Sequence, residues 1–174
     1  MTSFRRLALA LVGLSLAVVG SATAWPTGAE AAVASTKLVQ PNGVDFSIHA
    51  SVDPNFCLED VPAPADPASE SSMSQCVNRN GQHWTFADAA DGSIVIIGGN
   101  TGKCLDFTAK VHSPVSMKPC TFSANERFLY NRKGQIELAS GTKCLQPAQA
   151  EQDAFVSIDL CQKGVALQIW MLGH

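Results

Sequence analysis

The feature that most constrains this chain is a pattern of cysteines that occurs three times along it. Each copy begins with a Cys-Leu pair, has a second cysteine 16 to 19 positions later, and ends with a Gln-x-Trp step or a variant of it. The cysteines are Cys57 and Cys76, Cys104 and Cys120, and Cys144 and Cys161. The closing steps are Gln82 with Trp84, Glu126 with Phe128, and Gln168 with Trp170. Copies spaced 40 to 47 residues apart predict a fold built from three supersecondary units.

Each copy also opens with a turn dipeptide and a short alternating stretch. The dipeptides are Asn42-Gly43, Asp91-Gly92 and Lys133-Gly134, and the stretches are VDFSIHA, SIVIIGG and QIELAS. Glycine favours tight hairpin turns because it tolerates positive φ, and alternation with a period of two is typical of half-buried strands. The sequence therefore predicts an all-β domain of many short strands. A Pro- and Ser-rich segment at 61–74 is predicted to be a solvent-exposed loop.

The repeat also favours one disulfide pairing among the many that six cysteines allow. If each copy is one structural unit, its two cysteines are neighbours, which predicts the bonds Cys57–Cys76, Cys104–Cys120 and Cys144–Cys161. In the chain-entropy model, closing loops of this length contributes about 3 kcal/mol each. Metal binding is the alternative use of paired cysteines. The sequence has no C-x-x-C and its four histidines are scattered, so no metal or other cofactor is predicted.

The N-terminal segment is typical of an export signal. Arg5 and Arg6 precede an apolar stretch, and small residues at Ala22 and Ala24 suit a signal peptidase. We expect residues 1–34 to be a signal peptide, cleaved at a site between 24 and 34, followed by a short linker at 35–41 and one domain at 42–174. The apolar stretch is shorter than the ~20 residues of a spanning helix. The prediction is therefore a secreted, extracellular protein, whose oxidising surroundings favour disulfides.

Charge and motifs exclude several classes of function. The chain carries three more acidic than basic residues and has no basic cluster, which argues against nucleic acid and membrane as partners. It contains no G-x-S-x-G, no metal-ligand pair and no phosphate-binding glycine loop. No catalytic residues are predicted, and we expect the protein not to be an enzyme.

A threefold unit of Cys-Leu-Asp, Cys and Gln-x-Trp resembles the ricin B-type lectin family, over nearly the whole chain from about Val44 to Leu172. The resemblance implies a single β-trefoil of three pseudo-symmetric repeats, with one disulfide per repeat. In that fold, six of twelve strands close a short barrel and six form a cap of hairpins. The large rings of Trp84, Phe128 and Trp170 recur every 44 and 42 residues. Rings at equivalent positions of three repeats are expected to be structural core.

The resemblance also implies a sugar pocket in each repeat, made by three groups. These are the carboxylate of Cys-Leu-Asp, an aromatic residue two positions before the second cysteine, and an Asn just before the Gln of Gln-x-Trp. The second repeat keeps Asp106 and Asn125, while Lys118 replaces the aromatic residue and Glu126 replaces the Gln. We therefore expect carbohydrate binding at Asp106, Asn125, Lys118 and Glu126. The alternative for Asp106 is a structural role, as an acceptor for turn amides beside the disulfide. His112, in the loop between the cysteines of this repeat, is an alternative platform for the sugar or a solvated loop residue.

The other two repeats depart further from the pattern. The first has Glu59, Ser74 and Gly81 at the three positions, with Asp60 as a second acceptor, and the third has Gln146, Asp159 and Leu167. The function expected is weak recognition of galactose-like or xylan-like glycans, chiefly through the second repeat. The alternative is a trefoil with degenerate sugar sites that binds an extracellular protein as a scaffold, inhibitor or accessory factor.

Overall fold

The computed structural model describes residues 43–62, 69–107 and 110–173. These residues all fall within one unit of the chain. The signal peptide and linker expected at 1–41 lie outside the described residues.

Twelve antiparallel strands make up the regular structure of the described residues. They are β1 (Gly43–Ala50), β2 (Asp53–Val61), β3 (Ser69–Gln75), β4 (Trp84–Asp88), β5 (Ile94–Gly98), β6 (Cys104–Asp106), β7 (Ser116–Lys118), β8 (Arg127–Tyr130), β9 (Ile136–Leu138), β10 (Lys143–Pro147), β11 (Val156–Leu160) and β12 (Trp170–Gly173). The described helices are single 3₁₀ turns, at Asn80–Gln82, Ala124–Glu126 and Ala166–Gln168. The described part of the chain contains no helix with the length and hydrophobicity needed to span a bilayer.

Six strands form the barrel of the trefoil. β1 pairs with β12 and with β4, and the pairing continues from β4 to β5, from β5 to β8 and from β8 to β9. The N–H of Trp170 in β12 donates to the carbonyl of Gly134, just before β9, at 2.8 Å. This hydrogen bond joins the last strand to the turn before β9, on the remaining side of the barrel.

The other six strands form three hairpins, β2–β3, β6–β7 and β10–β11. Neighbouring repeats are joined in the same way each time. The residue six positions before the second cysteine of one repeat pairs with a serine of the next repeat. That serine lies four positions before its own second cysteine. The three pairs are Glu70 with Ser116, Pro114 with Ser157, and Phe155 with Ser72. The repeats thus follow one another around the cap as a closed ring.

One disulfide closes each hairpin, as predicted. The bonds are Cys57–Cys76, Cys104–Cys120 and Cys144–Cys161, with Cα–Cα distances of 5.2, 4.9 and 4.9 Å. The all-β trefoil with three pseudo-symmetric repeats is confirmed. Three disulfides also indicate a non-cytoplasmic protein, because such bonds persist in oxidising compartments.

The three rings lie in one buried cluster. Trp84, Phe128 and Trp170 are almost fully buried. The indole Nε1 of Trp84 donates to the carbonyl of Leu58 at 3.0 Å, and that of Trp170 donates to Leu145 at 3.0 Å. Both acceptors belong to the Cys-Leu pair of the same repeat, so each indole ties its barrel strand to its own hairpin. Phe128 has no such donor.

Residues 61–74 differ from the predicted loop. β3 begins at Ser69 and pairs with β2 as far as Gln75, and only 63–68 lie outside the described residues. The loop was predicted because serine is common in turns. Met73, however, is buried directly opposite Leu58, and strand formation depends more on such packing than on intrinsic preference.

The indole hydrogen bonds can be tested by substitution. Trp84→Phe or Trp170→Phe removes the donor to a buried carbonyl, and each should lower the free energy of unfolding by about 1–3 kcal/mol in urea denaturation. Met171→Leu, on the exposed face of β12, is the control and should change it by less than about 0.5 kcal/mol. Unchanged midpoints in both Trp variants would contradict the structural role of the indoles.

A second prediction concerns acid stability and the turn before β5. The hydroxyl and N–H of Ser93 both donate to Asp91, and Arg127 lies 3.1 Å from its other oxygen. The hydroxyl of Ser93, then its N–H, lower the pKa of Asp91 from 3.8 to about 2. Since the folded pKa is the lower one, this contribution is complete above pH 3.8 and is lost as pH falls towards 2. Asp91→Asn should flatten that part of a stability–pH curve, and a curve of unchanged shape would refute the assignment.

Candidate functional site

Each outer hairpin places the three pocket positions close to one another. The residue after Cys-Leu lies on the first strand of the hairpin, and the position two before the second cysteine lies on the second strand, opposite the first cysteine. The position before the Gln lies on the 3₁₀ turn. In the second repeat, the N–H of Phe107, next to Asp106, donates to the carbonyl of Asn125 at 3.0 Å, which holds this turn against the end of β6.

The second repeat brings a carboxylate and an ammonium into direct contact. Lys118 Nζ donates to Asp106 Oδ1 at 2.7 Å. The side chain of Asp106 is only 4% exposed, whereas that of Lys118 is 36% exposed. Asn125 is exposed on the 3₁₀ turn. The structure therefore brings together Asp106 and Lys118, with Asn125 on the adjoining turn, and no aromatic residue occupies the Lys118 position.

Glu126 is positioned as a structural residue. It is 1% exposed, and its carboxylate accepts hydrogen bonds from the N–H and hydroxyl of Thr121 at 2.9 and 3.0 Å and from the N–H of Ser123 at 3.3 Å. Ser123 and Glu126 also form a capping box on the 3₁₀ turn. Its carboxylate is committed to the chain just beyond Cys120, which leaves little of it for a ligand.

The glutamines at the same position show what this substitution changes. Gln82 accepts from Val77 N–H at 2.8 Å, just as Glu126 accepts from Thr121. Its amide also donates to Glu59 at 3.1 Å, and the amide of Gln168 donates to Gln146 at 2.9 Å. Glu126 keeps the acceptor role but has no donor for Asp106. Lys118 supplies that donor instead.

In the first repeat, an arginine occupies the pocket. Arg79 Nη2 donates to Glu59 Oε2 at 2.7 Å and to Ser74 Oγ at 2.6 Å. Asp60, the other acceptor considered for this pocket, is fully buried and accepts from the N–H and hydroxyl of Thr101 at 2.7 and 2.8 Å. Asp60 thus joins two repeats and is not available to a ligand. Arg79 was not predicted from the sequence, although its position three residues before Gln82 is a usable signal.

The third repeat uses its pocket residues for internal contacts. Gln146 accepts from Gln168, and Asp159 Oδ2 lies 3.3 Å from His112 Nδ1. The N–H of His112 also donates to the carbonyl of Ile158 at 3.0 Å. His112 belongs to the second repeat, but its loop packs on the next hairpin around the ring. Its side chain therefore contacts the third repeat and not the pocket of its own repeat.

One group of metal-type ligands occurs among the described residues, formed by His49, Cys57 and Cys76. The two sulfurs form a disulfide, and His49 Nδ1 and Nε2 lie 2.9 Å from Pro54 O and 2.7 Å from Ser47 Oγ. These atoms are committed to other bonds. A cavity of about 490 Å³ lies beside this disulfide.

Comparison with known proteins is consistent with this architecture. Residues 92–174, which comprise the second and third repeats, match the model of the ricin-type β-trefoil lectin domain. No curated protein has a sequence that matches this chain.

Solved structures share the fold at low sequence identity. A mosquitocidal holotoxin aligns with a TM-score of 0.66 and 13% identity over 78% of this chain, which spans only 17% of the toxin. ThreeFoil, a designed 3-fold symmetric protein, aligns with a TM-score of 0.64 and 17% identity, covering 74% of this chain and 97% of its own. The Macrolepiota procera ricin B-like lectin in complex with lactose aligns with a TM-score of 0.60 and 12% identity, covering 76% and 96%.

The structural role of Glu126 leads to a prediction. Glu126→Ala leaves the N–H groups of Thr121 and Ser123 without their acceptor and should lower the free energy of unfolding by about 1–3 kcal/mol. Glu126→Gln keeps one acceptor oxygen, as Gln82 does, and should retain most of the stability. Chemical denaturation of the unsubstituted protein and the two variants measures these free energies of unfolding. Equal stability of Glu126→Ala and the unsubstituted protein would show that the carboxylate does not anchor the loop.

Proposed function

Because residues 92–174 match the model of the ricin-type β-trefoil lectin domain, we propose that the chain is a ricin B-type lectin, an exported, non-enzymatic protein that binds glycans through its second repeat. The observation that carries this proposal is the pair formed by Asp106 and Asn125. This repeat alone has both a carboxylate and an amide at the family's binding positions.

The chemistry of these groups suits a sugar. A carboxylate accepts hydrogen bonds from neighbouring hydroxyls, and an amide both donates and accepts. Asp106 is held on a strand whose hairpin is closed by a disulfide, and Asn125 lies on a turn fastened by Glu126. Groups that are already positioned lose little conformational entropy when a ligand binds.

The similar lectin that was solved with lactose supports carbohydrate as the general ligand class. We propose galactose-like or xylan-like units as candidates. A single shallow site binds weakly, and strong retention on a glycan surface would need several sites acting together. In the first and third repeats, internal hydrogen bonds of Glu59 and Gln146 occupy the corresponding positions.

A second candidate function is protein binding by a disulfide-closed scaffold. It is favoured by Arg79, which fills the first pocket, and by the lack of an aromatic residue at the position of Lys118. Val61 and Phe155, which are both exposed, are candidate contacts for such a partner. A protein that binds no glycan yet captures one defined extracellular protein would match this alternative.

The glycan proposal is tested by a glycan array on residues 35–174, followed by affinity chromatography on a responsive glycan. Asp106→Ala should reduce affinity about tenfold or more, because it removes charge-assisted hydrogen bonds to hydroxyls. Gln146→Ala, at the equivalent position of the third repeat, is the matched control and should leave retention unchanged. Equal retention of the two variants would remove the second repeat from consideration.

A further inference from the structure

Two repeats contain the same unusual pair at the pocket. In the first, Arg79 lies 2.7 Å from Glu59, and in the second, Lys118 lies 2.7 Å from Asp106. In both pairs the carboxylate is the buried partner, 10% and 4% exposed, and the cation is the exposed one, 51% and 36% exposed. The cationic side chains are long and reach solvent, whereas the carboxylates are buried on the hairpin strands.

The second pocket also contains more negative charge than positive. Glu126 replaces a glutamine whose amide, in the first and third repeats, lies 3.1 and 2.9 Å from the residue equivalent to Asp106. Glu126 is buried on the 3₁₀ turn that lies against the end of β6, where Asp106 is located. Lys118 neutralises Asp106, and the second buried carboxylate, on the adjoining turn, favours a further positive charge in the pocket.

From this arrangement, and resting on the proposed function, we propose that the preferred ligands are glycans with free primary amines, whose ammonium groups displace Lys118 from Asp106. A neutral hydroxyl that displaced Lys118 would leave a buried carboxylate without a counter-charge, which is unfavourable. An ammonium restores that charge and donates up to three hydrogen bonds. Lys118 then acts as an internal competitor that discriminates against neutral sugars.

The first repeat extends the inference to polymers. Arg79 covers Glu59 in the same manner as Lys118 covers Asp106, so an amino-sugar chain would find a second, weaker carboxylate on the same molecule. Two such sites acting on one polymer raise the overall affinity through effective concentration. Glu59 also accepts from the amide of Gln82 at 3.1 Å, whereas Glu126 offers no such donor to Asp106. The second repeat should therefore bind first.

The test is calorimetry at mildly acidic pH, where amines are protonated, with two oligomers of equal length. One consists of β-1,4-linked 2-amino-2-deoxyglucose and the other is its fully N-acetylated form. The unsubstituted protein should bind the amino oligomer about tenfold more tightly. Lys118→Met, which keeps the length of the stem, should raise affinity for the amino oligomer by about tenfold because the competitor is gone. Asp106→Asn should abolish the preference.

Controls separate the pocket from overall charge and from misfolding. Lys133→Met makes the same change in net charge at an exposed turn outside the pocket and should leave both affinities unchanged. Thermal denaturation monitors folding, and Lys118→Gln replaces Lys118→Met if the latter does not fold. Binding of neutral sugars that depends on Asp106 but shows no preference for amines would overturn this inference and leave the proposed function standing. Absence of binding to any glycan would overturn both, and weaker binding by Lys118→Met would show that Lys118 is a ligand contact, not a competitor.

Discussion

Each outer hairpin is closed by a disulfide and by a buried side chain just beyond it. The disulfide fixes the two strands that carry the pocket positions. Gln82, Glu126 and Gln168 then accept from the chain one residue beyond the second cysteine. These bonds position the pocket groups, so a cluster of a few polar residues is able to form on a loop-rich corner of a small domain.

The same hairpin closure occurs in all three repeats, while the side chains of the three pockets differ. The ring of hairpins is held by backbone pairs and by the buried rings, so side chains at the outer corners do not determine the fold. In the first repeat Arg79 occupies the corner, and in the third, Asp159 contacts His112 from the preceding repeat. The second repeat keeps the carboxylate and the amide. It has Glu126 where the other two repeats have a glutamine, and Lys118 donates to Asp106 in place of the glutamine amide.

The features that could be predicted from the sequence are those that recur at a regular spacing. Alternating apolar residues located β1, β5 and β9, and the spacing of the cysteines predicted the disulfides. Both features depend on residues that lie within one repeat. Arg79 and the contact of His112 with the third repeat were not predictable in this way, since they depend on how far a side chain reaches between segments distant in sequence. β3 was not predicted because its serines are typical of turns. The strand forms because Met73 is buried.

The most direct test of the central claim, that the second repeat is the ligand-binding corner, is an NMR titration of the isotope-labelled protein with an oligosaccharide that it binds. Binding there should shift the signals of Asp106, Lys118 and Asn125 progressively and leave those of the equivalent Gln146, Asp159 and Leu167 unmoved. Shifts confined to the third repeat, or to the cavity beside His49, would contradict it.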